Sequence, residues 1–86
     1  MNQKVDVPVS VISYYNATTS SVQPVKVFWN GREYLINKVG LHHTFRNGRT
    51  LFHVFSVVGG GMFFRLNFNT DNLFWRLEEV SDGLPS

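Results

Sequence analysis

Three glycine-marked turns punctuate a chain that otherwise alternates apolar and polar residues, and this pattern leaves little open except an antiparallel meander. The turns are Asn30-Gly31, Asn47-Gly48 and Gly59-Gly60-Gly61. Asn-Gly between alternating apolar runs is the strongest short-range hairpin signal, because both central residues of a type I′ turn need positive φ. No stretch carries the 3.6-residue spacing of an amphipathic helix.

Each turn predicts a pairing. A two-residue turn at Asn30-Gly31 sets Trp29 opposite Arg32, Val27 opposite Tyr34 and Val25 opposite Ile36. The turn at Asn47-Gly48 sets Phe45 opposite Thr50, His43 opposite Phe52, Leu41 opposite Val54 and Val39 opposite Ser56, with His42 opposite His53 on the reverse side. Across the triglycine, side-chain parity decides the loop length. Phe52 and Val54 share a face with Phe64, Leu66 and Phe68 if Val58 pairs with Met62 across a three-residue loop. A last turn over Asn69-Thr70-Asp71-Asn72 sets Phe68 opposite Leu73 and Leu66 opposite Trp75.

Upstream, Val5, Val7, Val9 and Val11 alternate with Lys4, Asp6, Pro8 and Ser10, which predicts a first strand over 4–11. Pro8 cannot donate to a ladder, so that strand belongs at a sheet edge. The polar run over 16–21 reads as a loop. Inward parity changes between Tyr34/Ile36 and Val39/Leu41, so a bulge or bend is expected near Asn37-Lys38 or Gly40.

At 86 residues the chain has room for one domain, residues 1–86, with an ordered core over about 4–80 and a frayed tail over 81–86. The expected fold is all-β: a bent antiparallel meander of about six strands forming a small two-layer sandwich or partly open barrel. There is no Cys, so no disulfide framework and no thiolate chemistry; eight Phe, two Trp and three Tyr must supply the packing. The opening MNQKVDVPVSVISYY is neither a signal peptide nor a membrane span, which predicts a cytoplasmic protein with no membrane partner. A net charge of +2 permits anionic partners without requiring them.

The register sorts the remaining residues onto two faces. One is a core face built from Leu41, Val54, Leu66 and Trp75 with the rows beside them. The other mixes aromatics and cations: Phe55, Arg65 and Arg76 at its centre, with Lys38, His42, His53, Phe63 and Phe74 around them. These eight residues are the candidate binding site. Arg65 and Arg76 stand directly opposite each other in this register, and like charges so placed need water, shielding or an anionic partner.

Trp29-Asn30-Gly31-Arg32 reads as a structural hairpin with Arg32 over the Trp29 ring. His43 points away from His42 and His53, so the three histidines cannot converge on a metal ion. No nucleophile elbow, paired core carboxylates or phosphate-binding loop is present, and a non-enzymatic chain without a cofactor is expected.

The strings Val25 to Tyr34 (VKVFWNGREY), Phe52 to Val54 and Phe74 to Glu78 (FWRLE) resemble a group of short uncharacterised bacterial proteins with a W-x-G-R-x-Y hairpin and a terminal W-x-L-E. The likeness spans about residues 22–80 and implies bacterial origin and unknown function. It transfers no catalytic or binding residue, and the middle strands here are poorer in Arg than that pattern. The functional expectation is a protein-binding or self-assembly module, a homodimer included, working through the mixed face. The alternative is single-stranded nucleic acid on the same face, bases on rings and phosphates on cations.

Overall fold

The computed structural model describes residues 2–82, and the chain there is all-β, with seven antiparallel strands and no helix. The strands are β1 (Asn2–Pro8), β2 (Ser10–Asn16), β3 (Ser21–Trp29), β4 (Arg32–Asn47), β5 (Thr50–Gly59), β6 (Met62–Asn69) and β7 (Trp75–Ser81). Their order in the sheet is β1-β7-β6-β5-β4-β3-β2. None of the described segments is a helix long and apolar enough to cross a membrane.

This order dictates a curl. Laid flat, seven strands at ~4.8 Å spacing would hold the two edges about 29 Å apart. Yet the edge strands β1 and β2 are joined by Val9 alone, a link that spans at most about 8 Å between Pro8 and Ser10. The sheet must therefore roll until its edges meet along one stretch of chain, and Val9 N donates to Trp75 O at 3.1 Å to hold that stretch on β7. The expected single first strand is thus two strands with a break at Val9. The alternation within it stands: Val5, Val7, Val9 and Val11 all pack against the core, while Lys4, Asp6, Pro8 and Ser10 are exposed.

The rolling needs β4 to serve both layers, and it bends twice. Register shifts fall between Ile36 and Lys38 and between Val39 and Leu41, so both predicted bulge positions are used. Each bulge resets parity. Ile36, Val39 and His42 face inward in turn, while Lys38, Leu41 and His43 face outward.

Turn chemistry explains which predicted pairings hold. Asn30 and Gly31 have φ of 54° and 76°, the type I′ signature, and Trp29 pairs with Arg32 and Val27 with Tyr34 as expected. At the second turn only Gly48 has positive φ (63°), so Gly48-Arg49 form the turn with glycine first, as in type II′. Asn47 pairs with Thr50, and β5 slides two residues along β4 from the expected register, which keeps its parity: Phe45 faces Phe52, His43 faces Val54, and His42 faces Phe55 instead of His53.

The triglycine produces the larger correction. Gly60 and Gly61 (φ 59° and 76°) make a two-residue turn and Gly59 pairs with Met62, so Phe55 faces Leu66, Val57 faces Phe64 and Val54 faces Asn67. One residue fewer in the loop exchanges the two faces of β5 relative to β6. Gly59 is a strand residue with its own reason to be glycine, since a Cβ there would lie 2.5 Å from Leu35 O on β4.

Past β6 the turn runs on through Leu73 and Phe74. Phe68 therefore faces Trp75 and not Leu73, and Leu66 faces Leu77. Asn69 Oδ1 accepts from Asp71 N at 2.8 Å, and Asn72 Oδ1 accepts from Phe74 N at 2.9 Å, so the loop is fixed by its own amides.

The core is Val27, Phe55, Val57, Phe64, Leu66, Trp75, Leu77 and Val80. Trp29 and Tyr34 close one end over Phe64, with ring centroids 6.4 and 4.9 Å away. The cation over a ring in this hairpin is Lys26 above Phe28 at 6.0 Å, not Arg32 above Trp29. Strand β7 extends to Ser81, one residue past the predicted core, and residues 83–86 of the predicted tail lie outside the described residues.

Candidate functional site

The exchanged parity of β5 divides the eight predicted site residues. Lys38, Phe63, Arg65 and Arg76 are on the outer face; His42, His53 and Phe55 are on the inner face; Phe74 sits in the loop before β7. Phe55, the expected centre of an exposed surface, is 1% exposed and part of the core, whereas Phe63 and Phe74 are 48% and 67% exposed.

On the outer face four rows cross from β4 toward β7: Phe45–Phe52–Asn69, His43–Val54–Asn67–Arg76, Leu41–Ser56–Arg65–Glu79 and Lys38–Val58–Phe63–Ser81. Arg65 therefore faces Glu79, not Arg76, and the like-charge clash disappears. Its Nε lies 3.2 Å from Glu78 Oε1 and its Nη1 3.2 Å from Glu79 Oε2. The other oxygen of Glu78 accepts from the buried Asn67 Nδ2 at 3.0 Å. Arg76 reaches β1, its Nε 3.0 Å from Asp6 Oδ1 and its Nη2 donating to Asp6 O at 2.7 Å. Asp6 stands in a bulge with φ of 46°, which turns its carbonyl and carboxylate toward this guanidinium. Both arginines of the predicted site are thus neutralised within the chain.

The apolar part of the outer face lies at the β4–β5 end. Phe45 and Phe52 stack with centroids 4.9 Å apart and planes 11° from parallel. Leu41 is exposed two rows away, beyond His43, and Phe74 faces Phe52 across a small cleft of about 190 Å³ that Asn67, Asn69 and Arg76 also line. Sequence reasoning missed Leu41, Phe45 and Phe52 because the parity assigned to the triglycine placed Leu41 and Phe52 in the core. The alternation of Leu41, His43 and Phe45 was the usable signal.

The inner face holds the second arrangement. His42 Nε2 and His53 Nδ1 are 2.7 Å apart, a hydrogen bond between two imidazoles on neighbouring strands. His42 stacks on Phe55 with centroids 4.4 Å apart and planes 3° from parallel, so the pair is braced on a core ring. Burial, and then the charge of His42, hold the His53 pKa below the usual histidine value. Over the pair stands the β2–β3 hairpin, and between them lies a cleft of about 460 Å³ lined by Tyr15, Ser20, Ser21, Val22, His42, His53, Phe68 and Thr70.

What these groups can do is bounded by their chemistry. Among the described residues no three His, Asp or Glu side chains gather where a metal ion could be held. The chain matches no known family model, no curated protein and no solved structure.

Proposed function

We propose that the protein is a non-enzymatic assembly module that pairs with a second copy of itself through the outer face at the Phe45–Phe52 stack. The observation that carries this reading is the apolar group of exposed Phe45 and Phe74 around the half-buried Phe52, with Leu41 and Phe63 exposed farther along the same side. A two-fold contact lays a surface against itself, so an unpaired cation near the axis meets its own copy. Here Arg65 and Arg76 already carry carboxylate partners, and the self-contact meets no such repulsion from them.

The alternative, single-stranded nucleic acid on this face, has less support for the same reason, since phosphates would compete with Glu78, Glu79 and Asp6 for the two guanidiniums. Light scattering coupled to size exclusion tests the proposal. A concentration-dependent dimer that Leu41→Ser with Phe45→Ser converts to monomer, with unchanged circular dichroism, supports it. A wild-type chain that stays monomeric at millimolar concentration overturns it.

A further inference from the structure

We infer that the cleft between the β2–β3 hairpin and the His42–His53 pair is a binding site for a small carboxylic acid with an apolar body, the carboxylate on the imidazoles and the body against Val22 and Phe68. This does not rest on self-association through the outer face, which is the other side of the sheet.

The cleft's volume of about 460 Å³ falls in the range of small-molecule sites, ~300–1,000 Å³. Its walls are mostly apolar with a few polar groups among them, as in such sites. The polar focus is the histidine pair. With Nε2 of His42 bonded to Nδ1 of His53, the outward nitrogens are Nδ1 of His42 and Nε2 of His53. Neither has a hydrogen-bond partner among the described residues.

Proton counting then selects the ligand. Two neutral imidazoles hold two N–H groups. One lies in the mutual bond, so the neutral pair offers one donor and one bare nitrogen. A single added proton makes both outward nitrogens donors while the mutual bond persists, and the pair becomes a cation with two N–H groups. A carboxylate matches that charge and accepts from one of them, since ring centroids 5.0 Å apart across a 2.7 Å bond put the two outward nitrogens at opposite ends of the pair.

No other charge competes on the cleft lining. Tyr15 from β2 is its one further titratable side chain, while β3, β6 and the loop contribute serine, valine, phenylalanine and threonine. A neutral ligand of the same shape would gain the apolar contact without the ion pair. The two kinds of ligand therefore differ in pH dependence.

The test is an amide-shift titration of the wild-type chain with octanoate and with octanamide, each at about pH 6 and about pH 8, both above the ionisation of a carboxylic acid. Octanoate is expected to shift Val22, His53, Phe68 and Thr70, and to bind at least about tenfold more tightly at the lower pH, as required when binding takes up a proton. Octanamide is expected to bind equally at both. His42→Gln, at an exposed position and with unchanged circular dichroism, should abolish the pH dependence for octanoate. Absence of cleft shifts at millimolar octanoate at pH 6, equal pH dependence for acid and amide, or an unchanged pH dependence in His42→Gln would each overturn the assignment.

Discussion

Replacing Phe55 and Phe63 by alanine, one at a time, separates the observed register from every register slipped by one residue in β5. Phe55 is 1% exposed between Leu66, Trp75 and His42, its centroid 5.7 Å from the Trp75 ring. Truncating a phenylalanine so enclosed costs ~3–5 kcal/mol, the transfer of the ring plus the cavity left behind. Phe63 is 48% exposed at the end of the outer face, and its truncation falls near the surface norm, within ~0.5 kcal/mol. A domain of this length has roughly 4–13 kcal/mol in total, so Phe55→Ala removes a large share of it. Urea denaturation reads the difference as a fall in midpoint at constant slope. In a thermal melt even ~3 kcal/mol lowers Tm by roughly 12–24 °C. If Phe63→Ala destabilises as much as Phe55→Ala, the two-residue turn at Gly60-Gly61 is not the one the chain uses and the inner and outer faces are misassigned.

Gly59→Ala puts a methyl 2.5 Å from Leu35 O, a backbone atom that no rotamer change relieves. It should cost ~1–3 kcal/mol, read from the urea midpoint, and a neutral result would mean β4 and β5 lie farther apart there. Leu73 has φ of 65° with its side chain 67% exposed, so Leu73→Asn gives up little packing and relieves left-handed strain. A gain of up to about 1 kcal/mol is expected, and a lower Tm would contradict it. Because the His53 pKa is lowered in the fold, chiefly by burial, the unfolded chain binds the proton more readily. Its contribution to stability is thus complete above about pH 6.5 and is lost as pH falls from there through the lowered value. Denaturation midpoints at stepped pH should show this loss, and His53→Gln should flatten it; an identical slope in the variant would assign the effect elsewhere.

Much of the architecture is legible in the chain because turn residues with a single role identify themselves. Asn30-Gly31 fits only a type I′ turn, and the pairing it predicts is the one observed. The parity conflict along β4 requires a bulge, and bulges occur at both places where one was expected. Glycine becomes ambiguous where it can serve two purposes. Gly59 is required by the close approach of β4, Gly60 and Gly61 by positive φ, and three identical letters do not reveal which two form the turn. The second Asn-Gly is ambiguous likewise, since glycine can stand second in a type I′ turn or first in a type II′ turn. β2 is obscured for a different reason. Ile12, Tyr14 and Tyr15 are all exposed, so the apolar alternation that marks the other strands fades there, and only pairing with β3 makes it a strand.

A period of two magnifies that one ambiguity into a functional difference. Moving Gly59 from the loop into the strand leaves every element in place, yet it carries Phe55 from the centre of a supposed binding surface into the core. The same step brings His42 and His53 round to the inner face, onto the ring of Phe55 and under the β2–β3 hairpin. In the register with a three-residue loop the histidines share a solvent face with Arg65 and Arg76, where water and neighbouring cations would leave them no special chemistry. In the observed register the two arginines have carboxylates and the two imidazoles have each other. The separation also fixes what each pair meets. The arginine pairs stand exposed, where an ion pair contributes little more than ~1 kcal/mol. The imidazole bond is exposed too, but it borders a mostly apolar cleft and has no carboxylate partner. Anion recognition by this domain is therefore better sought at the histidines than at the arginines, although the arginines carry the larger formal charge.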